Sequence, residues 1–373
     1  MDFWPIAICS IFMLSLANVE AEKHLILVSM PYDPYYKNYV NDIAKFANDL
    51  ASIAAGDDEV VVLYPQQWRS GSDKRNFNLS SARCIYTNEE IDLWTRDFGF
   101  VNPNRPVKFK FEPKGYLSKA YAKFVDSSFR KFLSSRGVTG FVSNDLLTVD
   151  GGNVVDNHYG KAVVSERFFK NSNSSSLKTR QDLVRSLEQS LNATIAFVPD
   201  PLDTTGHADG MVSFIEPDTL LIGDYNDQSF FTEVKRMINK TFPDIKTVRM
   251  PCPDSNISDW HGRSAVGVYV NILYTDSSVY VPAFNKPASD REAVQIVKAH
   301  VTRERKVKTI DTARLSLQGG SVRCMTMQFT WSNPIAQKLY KESVPCRNVT
   351  SKMTAFWSAL FIIWSVFYRL ILS

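Results

Sequence analysis

The amino-acid sequence predicts a single α/β domain over residues 22–345. Strand-like apolar runs alternate with longer stretches whose apolar residues recur at helical spacing. This alternation makes five strand-rich modules, each with about one helix. No Pro/Ser-rich linker or change in composition separates the modules, and a chain of 373 residues is long enough to bury a core.

The predicted elements follow one another along the chain. The first strand is predicted over His24–Ser29 and the first helix over Tyr36–Ala55. Val40, Ile43 and Ala47 give that helix one apolar face. Further helices are predicted over Ser118–Ser135, Lys178–Asn192, Asp227–Phe242 and Ser289–Val301. Further strands are predicted over Glu59–Tyr64, Lys161–Ser165, Thr194–Val198, Gly210–Ile215, Thr219–Ile222, Ala265–Val270, Val279–Pro282 and Lys306–Ile310.

Composition and charge argue against nucleic acid as a partner. Hydrophobic residues make up 44% of the chain and charged residues 22%, as in an ordinary globular protein. The formal net charge of +4 is mild for this length, and the sequence has no basic stripe interleaved with aromatic residues. We therefore expect no nucleic-acid partner.

Both ends of the chain resemble processing signals. Ile6–Leu16 is an apolar run followed by small residues, which predicts a signal peptide over residues 1–21. Met353–Leu372 is almost wholly apolar, so residues 346–373 are predicted to be a lipid-anchor signal or a transmembrane helix. Arg369 within this run, and the near absence of a tail after it, favour the lipid anchor. We therefore expect the secretory pathway, with the protein at the cell surface, membrane-anchored through this tail, or secreted.

Sequons and cysteines agree with a secretory route. Asn-x-Ser/Thr triplets, which are acceptors for N-glycosylation, occur at Asn78, Asn173, Asn192, Asn239, Asn256 and Asn348. Outside the signal the cysteines are Cys84, Cys252, Cys324 and Cys346. If Cys324 stays a free thiol, one disulfide and one odd thiol are possible in an oxidising compartment, and the sequence leaves the pairing open.

Four segments contain residues that together could act on a guanidinium group. They are Trp94–Asp97, Asp150–Asn153, Gly206–Gly210 and Gln318–Thr326. Asp97 and Asp209 could pair with the guanidinium nitrogens, and Trp94 could stack on the planar ion. Cys324, after a paired-glycine turn, could attack the central carbon, and His207 could protonate the departing amine. This set predicts hydrolysis of a guanidino group.

Each of these residues also has a plainer structural interpretation. Asp97 could form an ion pair with Arg96, and His207 could be a hydrogen-bonded turn histidine ahead of a strand. Trp94 and Cys324 could be core residues, because most isolated tryptophans and cysteines are. The paired glycines, at Gly151–Gly152 and Gly319–Gly320, could be hairpin turns.

Together the segments resemble the agmatine deiminase family, which includes the bacterial (Porphyromonas-type) peptidylarginine deiminases. The resemblance extends from about Leu25 to about Phe329 and is carried by Trp94–Gly99, Asp150–Asn153, Gly206–Gly210, Tyr269–Asn271, Val281–Phe284 and Gly319–Cys324. It implies the pentein fold, a five-bladed α/β propeller with pseudo-fivefold symmetry and a central active-site channel. It also implies hydrolysis of guanidino groups without a metal or an organic cofactor.

The resemblance implies a role for each candidate residue. Cys324 is then the nucleophile that forms a covalent thiouronium intermediate, and His207 is the general acid and base. Asp209 belongs to the catalytic set and, with Asp97, binds the guanidinium nitrogens beside Trp94.

Two further site residues and two departures come from the same resemblance. Asp150 stands where agmatine deiminases have a glutamate that supports the histidine, and Asn271 matches a position that lines the pocket. Arg323 replaces the histidine that often precedes the cysteine; it could favour the thiolate or occupy the pocket. Lys110–Gly115 lacks the Arg-Pro-Arg element with which the peptidylarginine branch binds a peptide carboxylate.

The sequence therefore predicts a hydrolase that converts agmatine to N-carbamoylputrescine and ammonia. The alternatives are a deiminase that forms citrulline from protein arginine or free arginine, an amidinotransferase, and a catalytically silent surface protein that binds guanidino ligands. A cysteine peptidase built on Cys324, His207 and Asn271 is a further alternative, but it leaves the paired aspartates unexplained. The oligomeric state stays open.

Overall fold

The structure, a computed structural model, describes residues 21–70, 75–172, 177, 179–201, 205–253 and 264–346. The predicted signal peptide, apart from Ala21, and the predicted C-terminal tail, apart from Cys346, lie outside these ranges. So do the sequons at Asn173, Asn256 and Asn348. Within the described ranges no helix combines the length and the apolar character needed to cross a bilayer.

The described strands form five sheets. In chain order they are β1 His24–Ser29, β2 Glu59–Pro65, β3 Arg83–Thr87, β4 Val107–Lys110, β5 Val142–Thr148, β6 Val154–Asp156, β7 Lys161–Ser165, β8 Thr194–Val198, β9 Val212–Glu216, β10 Thr219–Asp224, β11 Lys246–Pro251, β12 Leu273–Tyr274, β13 Ser278–Ala283, β14 Lys306–Asp311, β15 Met327–Thr330 and β16 Val344–Pro345. The sheet orders are β15-β1-β2-β3-β16, β4-β5, β6-β7-β8, β9-β10-β11 and β12-β13-β14.

Helices connect the parallel strands of each sheet. In chain order the α-helices are α1 Val40–Ala54, α2 Gln66–Ser70, α3 Thr95–Phe98, α4 Lys119–Ser135, α5 Arg167–Asn171, α6 Arg180–Leu191, α7 Gln228–Thr241, α8 Pro287–Lys298, α9 Ala313–Ser316 and α10 Pro334–Glu342. Parallel neighbours need such a crossover, because a hairpin turn joins only antiparallel strands. The predicted α/β class is confirmed, and the sheets contain both parallel and antiparallel pairs.

One arrangement of elements recurs from sheet to sheet. In β6-β7-β8, β9-β10-β11 and β12-β13-β14, the first two strands are antiparallel, and a helical crossover then leads to a third strand parallel to the second. β15-β1-β2 repeats the pattern, although β15 comes from the other end of the chain. Before β4, an antiparallel bridge from Val101 to Val107 stands in for the first strand. The sheets are separate among the described residues, and no closed sheet joins them, so the five-bladed propeller stays a prediction.

Side chains at the helix ends explain where several helices begin. Ser118 accepts a hydrogen bond from the Tyr121 amide at the start of α4. Thr179 and Asp182 form a reciprocal capping box at α6, and Asp227 caps α7. Each such cap satisfies amides that would otherwise lack partners, and it typically stabilises the helix by about 1 kcal/mol.

Apolar helix faces cover the sheets. Ala47 and Leu50 of α1 are fully buried in one cluster with Val62 of β2, as the helical periodicity predicts. Burial of a leucine-sized side chain contributes about 2 kcal/mol. Such packing holds the sheets rigidly enough to position residues at the strand ends.

The prediction of a strand over Ala265–Val270 is wrong. This segment consists of turns, with Gly267 at φ +88°, a backbone conformation incompatible with a continuous strand. The apolar side chains of Tyr269 and Val270 are buried nonetheless, and the strand begins at Leu273. The short apolar run therefore indicates that these side chains are buried, not that their backbone is extended.

A disulfide joins Cys84 to Cys346 across 262 residues. Cys84 lies in β3, whose antiparallel partner β16 ends immediately before Cys346. Cys252 and Cys324 are buried free thiols. The structure thus assigns the pairing that the sequence left open, with Cys324 free as a nucleophile requires.

Candidate active site

The candidate catalytic residues occupy equivalent places in the five modules. Asp97 lies in α3, ahead of the Val101 bridge; Asp150 precedes the 3₁₀ turn that leads into β6. His207 and Asp209 lie at the 3₁₀ turn ahead of β9. Asn271 precedes β12, and Cys324 precedes β15. Because each residue stands where the chain enters the first strand of its module, residues far apart in sequence meet at one place.

These segments enclose a cavity of about 580 Å³. Six of the predicted site residues line it: Trp94, Asp97, His207, Asp209, Asn271 and Cys324. Asp150 lies behind His207, where its carboxylate contacts the imidazole. The sequence motifs are therefore brought together, and the plain turn and ion-pair interpretations do not account for their common cavity.

His207 is held between two carboxylates. Its Nε2 lies 3.3 Å from Oδ2 of Asp150 and its Nδ1 lies 3.7 Å from Oδ1 of Asp97. Burial lowers the pKa of His207, but Asp97 and Asp150 outweigh this effect and raise the pKa to about 9. At neutral pH the imidazole is therefore protonated and able to donate a proton into the cavity.

Tyr116 completes the support of the histidine. Its hydroxyl donates to Oδ2 of Asp150 at 3.1 Å, and its ring stands edge-on to His207 with centroids 6.1 Å apart. The sequence analysis missed Tyr116. Tyr116 directly follows Lys110–Gly115, the segment that lacks the Arg-Pro-Arg element. No pattern in the sequence connects this tyrosine with the distant Asp150.

Oδ1 of Asp97 lies buried beside His207 but accepts no hydrogen bond from the described residues. Burial raises the pKa of Asp97 to about 7, against the lowering effect of His207. A buried acceptor without a partner is costly unless a ligand supplies a donor, and a guanidinium would do so.

Cys324 is surrounded by polar groups. The side-chain amide of Asn271 donates to Sγ at 3.2 Å, and Sγ lies 3.7 Å from Oδ2 of Asp209. Oδ1 of Asn271 accepts hydrogen bonds from the backbone amides of Arg323 and Cys324 at 3.1 and 3.3 Å, which fixes the backbone at the candidate nucleophile. Burial, then Asp209 and Asp97, raise the pKa of the Cys324 thiol well above its ordinary value. In the free protein the thiol is therefore protonated.

Arg323 does not occupy the cavity. Its guanidinium donates to Oδ2 of Asp209 at 2.8 Å and to the carbonyl of Val154 at 2.6 Å, and the side chain is buried. It is absent from the described cavity lining. Arg323 therefore orients Asp209 from behind, and it leaves room for a cationic ligand in front.

The paired glycines provide space that side chains would fill. A Cβ on Gly152 would overlap the His207 ring and approach Oδ1 of Asp97. A Cβ on Gly320 would overlap the ring of Trp94 and lie 2.9 Å from Cβ of Cys324. The turn interpretation of these glycines is incomplete, because both positions also require close approach of the backbone to catalytic side chains.

Away from the thiol, the cavity is tyrosine-rich and acidic. Asp92 is buried and accepts hydrogen bonds from the hydroxyls of Tyr36 and Tyr121. Tyr121 also donates to Asp33 at 3.2 Å. These residues were not predicted, since their separation in sequence gives no sign that they share a cavity. Among the described lining residues there are four aspartates and one histidine but no lysine, arginine or glutamate.

Comparison of the chain with known proteins agrees with this geometry. A putative agmatine deiminase from Streptococcus mutans is 25% identical over 275 residues, covering 64% of this chain and 73% of that protein. The agmatine deiminase of Stutzerimonas stutzeri is 25% identical over 276 residues, covering 64% and 74%. The solved agmatine deiminase of C. jejuni superposes with a TM-score of 0.66 at 17% identity, covering 83% of this chain and 94% of that chain.

The fold and the assembled thiol, imidazole and carboxylates define a pentein-type protein with the fold of the agmatine deiminases. The profile of the Porphyromonas-type peptidyl-arginine deiminases matches residues 17–329. The chain belongs to this family.

Proposed function

We propose that the protein hydrolyses agmatine to N-carbamoylputrescine and ammonia. The relatives named above are agmatine deiminases, and the site contains a free thiol, a protonated imidazole and a carboxylate without a partner. The observation that carries the proposal is the charge of the cavity: its described lining has four aspartates and no lysine or arginine.

This charge distribution distinguishes the candidate substrates. Agmatine is a dication, with an ammonium at the end opposite the guanidinium, and Asp33 and Asp92 lie in the same cavity as the catalytic pair Asp97 and Asp209. Free arginine adds a carboxylate, which would meet these acids in a cavity whose described lining offers no lysine or arginine to pair with it. The absence of the Arg-Pro-Arg element from Lys110–Gly115 also favours agmatine over a substrate that carries a carboxylate.

In the first half of the reaction, Asp97 and Asp209 hold the guanidinium nitrogens beside Trp94. Burial, then Asp209 and Asp97, raise the pKa of Cys324; the cationic substrate offsets the two carboxylates, so the thiol loses its proton to solvent as the substrate binds and becomes the thiolate. The thiolate attacks the central carbon, the C–S bond forms, and the C–N bond breaks. His207 supplies the proton with which the nitrogen leaves as ammonia.

In the second half, water attacks the thiouronium carbon. His207, now neutral, takes a proton from this water, and the C–S bond breaks to return the thiolate. The product carries a ureido group in place of the guanidino group. The remaining proton of the attacking water leaves to solvent, so the agmatine dication and water give N-carbamoylputrescine, ammonia and one proton, and no electrons are exchanged.

Ammonia release tests the proposal, with agmatine, free arginine and an arginine-containing peptide offered separately to the purified, reduced protein. We expect turnover of agmatine, little or none of the other two, and no turnover by Cys324→Ser. A higher kcat/KM for the peptide would replace agmatine with protein arginine. Silence with every substrate from a folded protein would instead indicate a surface protein that only binds guanidino ligands.

We also propose that the repeated modules are arranged as the five blades of a pseudo-fivefold propeller. The recurrence of strand, antiparallel strand, helix and parallel strand supports this arrangement, as does the convergence of one segment from each module on the cavity. An experimental structure tests it: the five sheets should be related by successive rotations of about 72° around the cavity.

We further propose that the protein enters the secretory pathway and is held at the cell surface by its C-terminal tail. The Cys84–Cys346 disulfide suits an oxidising compartment, and Asn78, Asn192 and Asn239 of the sequons are exposed. Glycosidase treatment should lower the apparent mass of the protein from its native host. Release from membranes by a phospholipase that cleaves glycolipid anchors distinguishes the lipid anchor from a transmembrane helix.

A further inference from the structure

Three potential metal ligands meet at the ends of the strands opposite the catalytic cavity. Asp150 precedes β6 and His158 follows it; Asn271 precedes β12 and Asp276 follows it. Cys324 precedes β15, whose far end, at Thr330, pairs with His24 of β1. His158 and Asp276 therefore follow strands that the candidate catalytic residues precede. His24 lies on β1, beside the far end of a third such strand.

The three side chains are close enough to share one ion. A ligand atom from each lies within 4.8 Å of those from the other two. The distance from Nε2 of His24 to Oδ2 of Asp276 is 3.5 Å. Tetrahedral zinc, with bonds of about 2.0–2.2 Å, holds its ligand atoms about 3.4 Å apart. The His24–Asp276 pair already has nearly this spacing. A movement of about 1 Å by the His158 side chain would bring the third ligand into place.

The imidazoles are buried and incompletely hydrogen-bonded. His24 is fully buried and His158 is 8% exposed. Nδ1 of His24 and Nδ1 of His158 have no hydrogen-bond partner among the described residues. His158 also adopts φ +65°, a left-handed conformation that is uncommon outside glycine and that clusters at functional sites. Nε2 of His24 contacts the Asp276 amide at 3.4 Å and Nε2 of His158 contacts the Gln328 amide at 3.1 Å, so one nitrogen of each buried ring has a partner and the other has none.

We propose that His24, His158 and Asp276 bind a zinc ion through one ring nitrogen of each histidine and a carboxylate oxygen. Two imidazoles and one carboxylate suit a borderline-soft divalent cation better than magnesium or calcium, which prefer oxygen ligands. Water completes the fourth position. The ion would join the sheets of β1, β6 and β12, and it takes no part in the reaction at Cys324.

The surrounding contacts fit this assignment. Tyr159 donates to Oδ1 of Asp276 at 3.1 Å, which orients the carboxylate. Zinc on the His158 ring displaces the hydrogen bond that Nε2 now accepts from the Gln328 side-chain amide at 3.1 Å, and this amide keeps its 2.8 Å hydrogen bond to the carbonyl of Tyr274.

Zinc binding to the full-length, untagged Cys324→Ser protein tests the proposal by equilibrium dialysis with elemental analysis. The serine background removes the catalytic thiol, which could bind zinc itself. We expect one zinc per chain, and loss of this ion in added His158→Gln or Asp276→Asn. His300→Gln is the matched control: this partly exposed histidine bonds to the carbonyl of Ile296 and should leave binding unchanged.

Substitution of the buried His158, or of Asp276, could prevent folding, so Tyr159→Phe is a second test. The Tyr159 ring is exposed, and this variant should therefore fold. Loss of its hydrogen bond should weaken zinc binding about tenfold. Cobalt should give the visible absorption of a tetrahedral nitrogen–oxygen site. Absence of stoichiometric zinc, unchanged affinity in folded Asp276→Asn and Tyr159→Phe, or equal affinity for magnesium would overturn the proposal.

Discussion

His207 is buried between Asp97 and Asp150, and this position sets the chemistry of the site. The two carboxylates raise the pKa of the imidazole to about 9, whereas burial raises the pKa of Asp97 to about 7. The two groups are therefore ionised together in a window of neutral to mildly alkaline pH. In that window the site has both a carboxylate for the guanidinium and a proton for the leaving nitrogen.

The pH dependence of kcat/KM for agmatine should follow from these shifts. Activity should fall as the pH drops below about 7, because protonated Asp97 no longer pairs with the guanidinium. It should fall again above about 9, because His207 loses the proton that the ammonia needs. Steady-state rates from pH 5.5 to 10.5 measure both limbs.

The Asp150→Asn variant tests whether the alkaline limb of the pH profile reports the titration of His207. Removing this carboxylate lowers the pKa of His207, so the alkaline limb should move to lower pH while the acid limb stays in place. An alkaline limb that is unmoved in Asp150→Asn would contradict the assignment to His207.

Gly152→Ala should reduce kcat by about 100-fold or more, because the new methyl group displaces the His207 ring from the leaving nitrogen. Gly210→Ala is the matched control, since a Cβ there meets no atom within 4 Å. Melting temperature and agmatine turnover are measured for both. Normal turnover by Gly152→Ala would show that the backbone approach is not needed.

At this scale the sequence predicted which side chains share the cavity better than it predicted the residues that support them. Cys324, His207, Asp97 and Asp209 stand in local motifs whose chemistry can be recognised. The support of Asp150 by Tyr116 depends on contacts across 34 residues. The orientation of Arg323 toward Asp209 spans 114 residues, and composition and spacing do not encode such contacts.

Among the elements, long periodic helices and strands bounded by turn residues were predicted accurately. Lys161–Ser165 and Thr194–Val198 have the predicted bounds, and Ser118–Ser135 differs from α4 by one residue, its cap. The run Ala265–Val270 failed because a buried turn and a buried strand have the same hydrophobic pattern. Short elements such as β12 and β16 are specified by pairing with distant strands, not by their own sequences.

The disulfide should stabilise the edge of the first sheet. Cys84→Ser with Cys346→Ser removes a link that closes 262 residues, and we expect a loss of about 2–4 kcal/mol in the free energy of unfolding. Urea denaturation of the oxidised wild type and the double variant measures this difference. Cys324→Ser controls for loss of a cysteine that forms no disulfide.

Equal denaturation midpoints for the oxidised wild type, the reduced wild type and the double variant would contradict this expectation. The pairing of β16 with β3 would then hold the edge without the covalent link.

For the whole molecule, the repeated module explains how a dispersed sequence makes one site. Every module contributes a segment at the same point of its architecture, so the positions of Asp97, Asp150, His207, Asn271 and Cys324 follow from the repeat. The opposite ends of three of these strands gather His24, His158 and Asp276 by the same logic. The predicted number of modules was therefore the most useful large-scale result of the sequence.

The pairing of β15 with β1 also sets an order of events during synthesis. β1 leaves the ribosome about 300 residues before its antiparallel partner, which emerges just after the segment that bears Cys324. Until β15 emerges, that edge of β1 lacks its antiparallel partner and the candidate thiol of Cys324 has only just been added to the chain. The strand that completes this pairing and the thiol of the candidate site are therefore made together, a few residues apart.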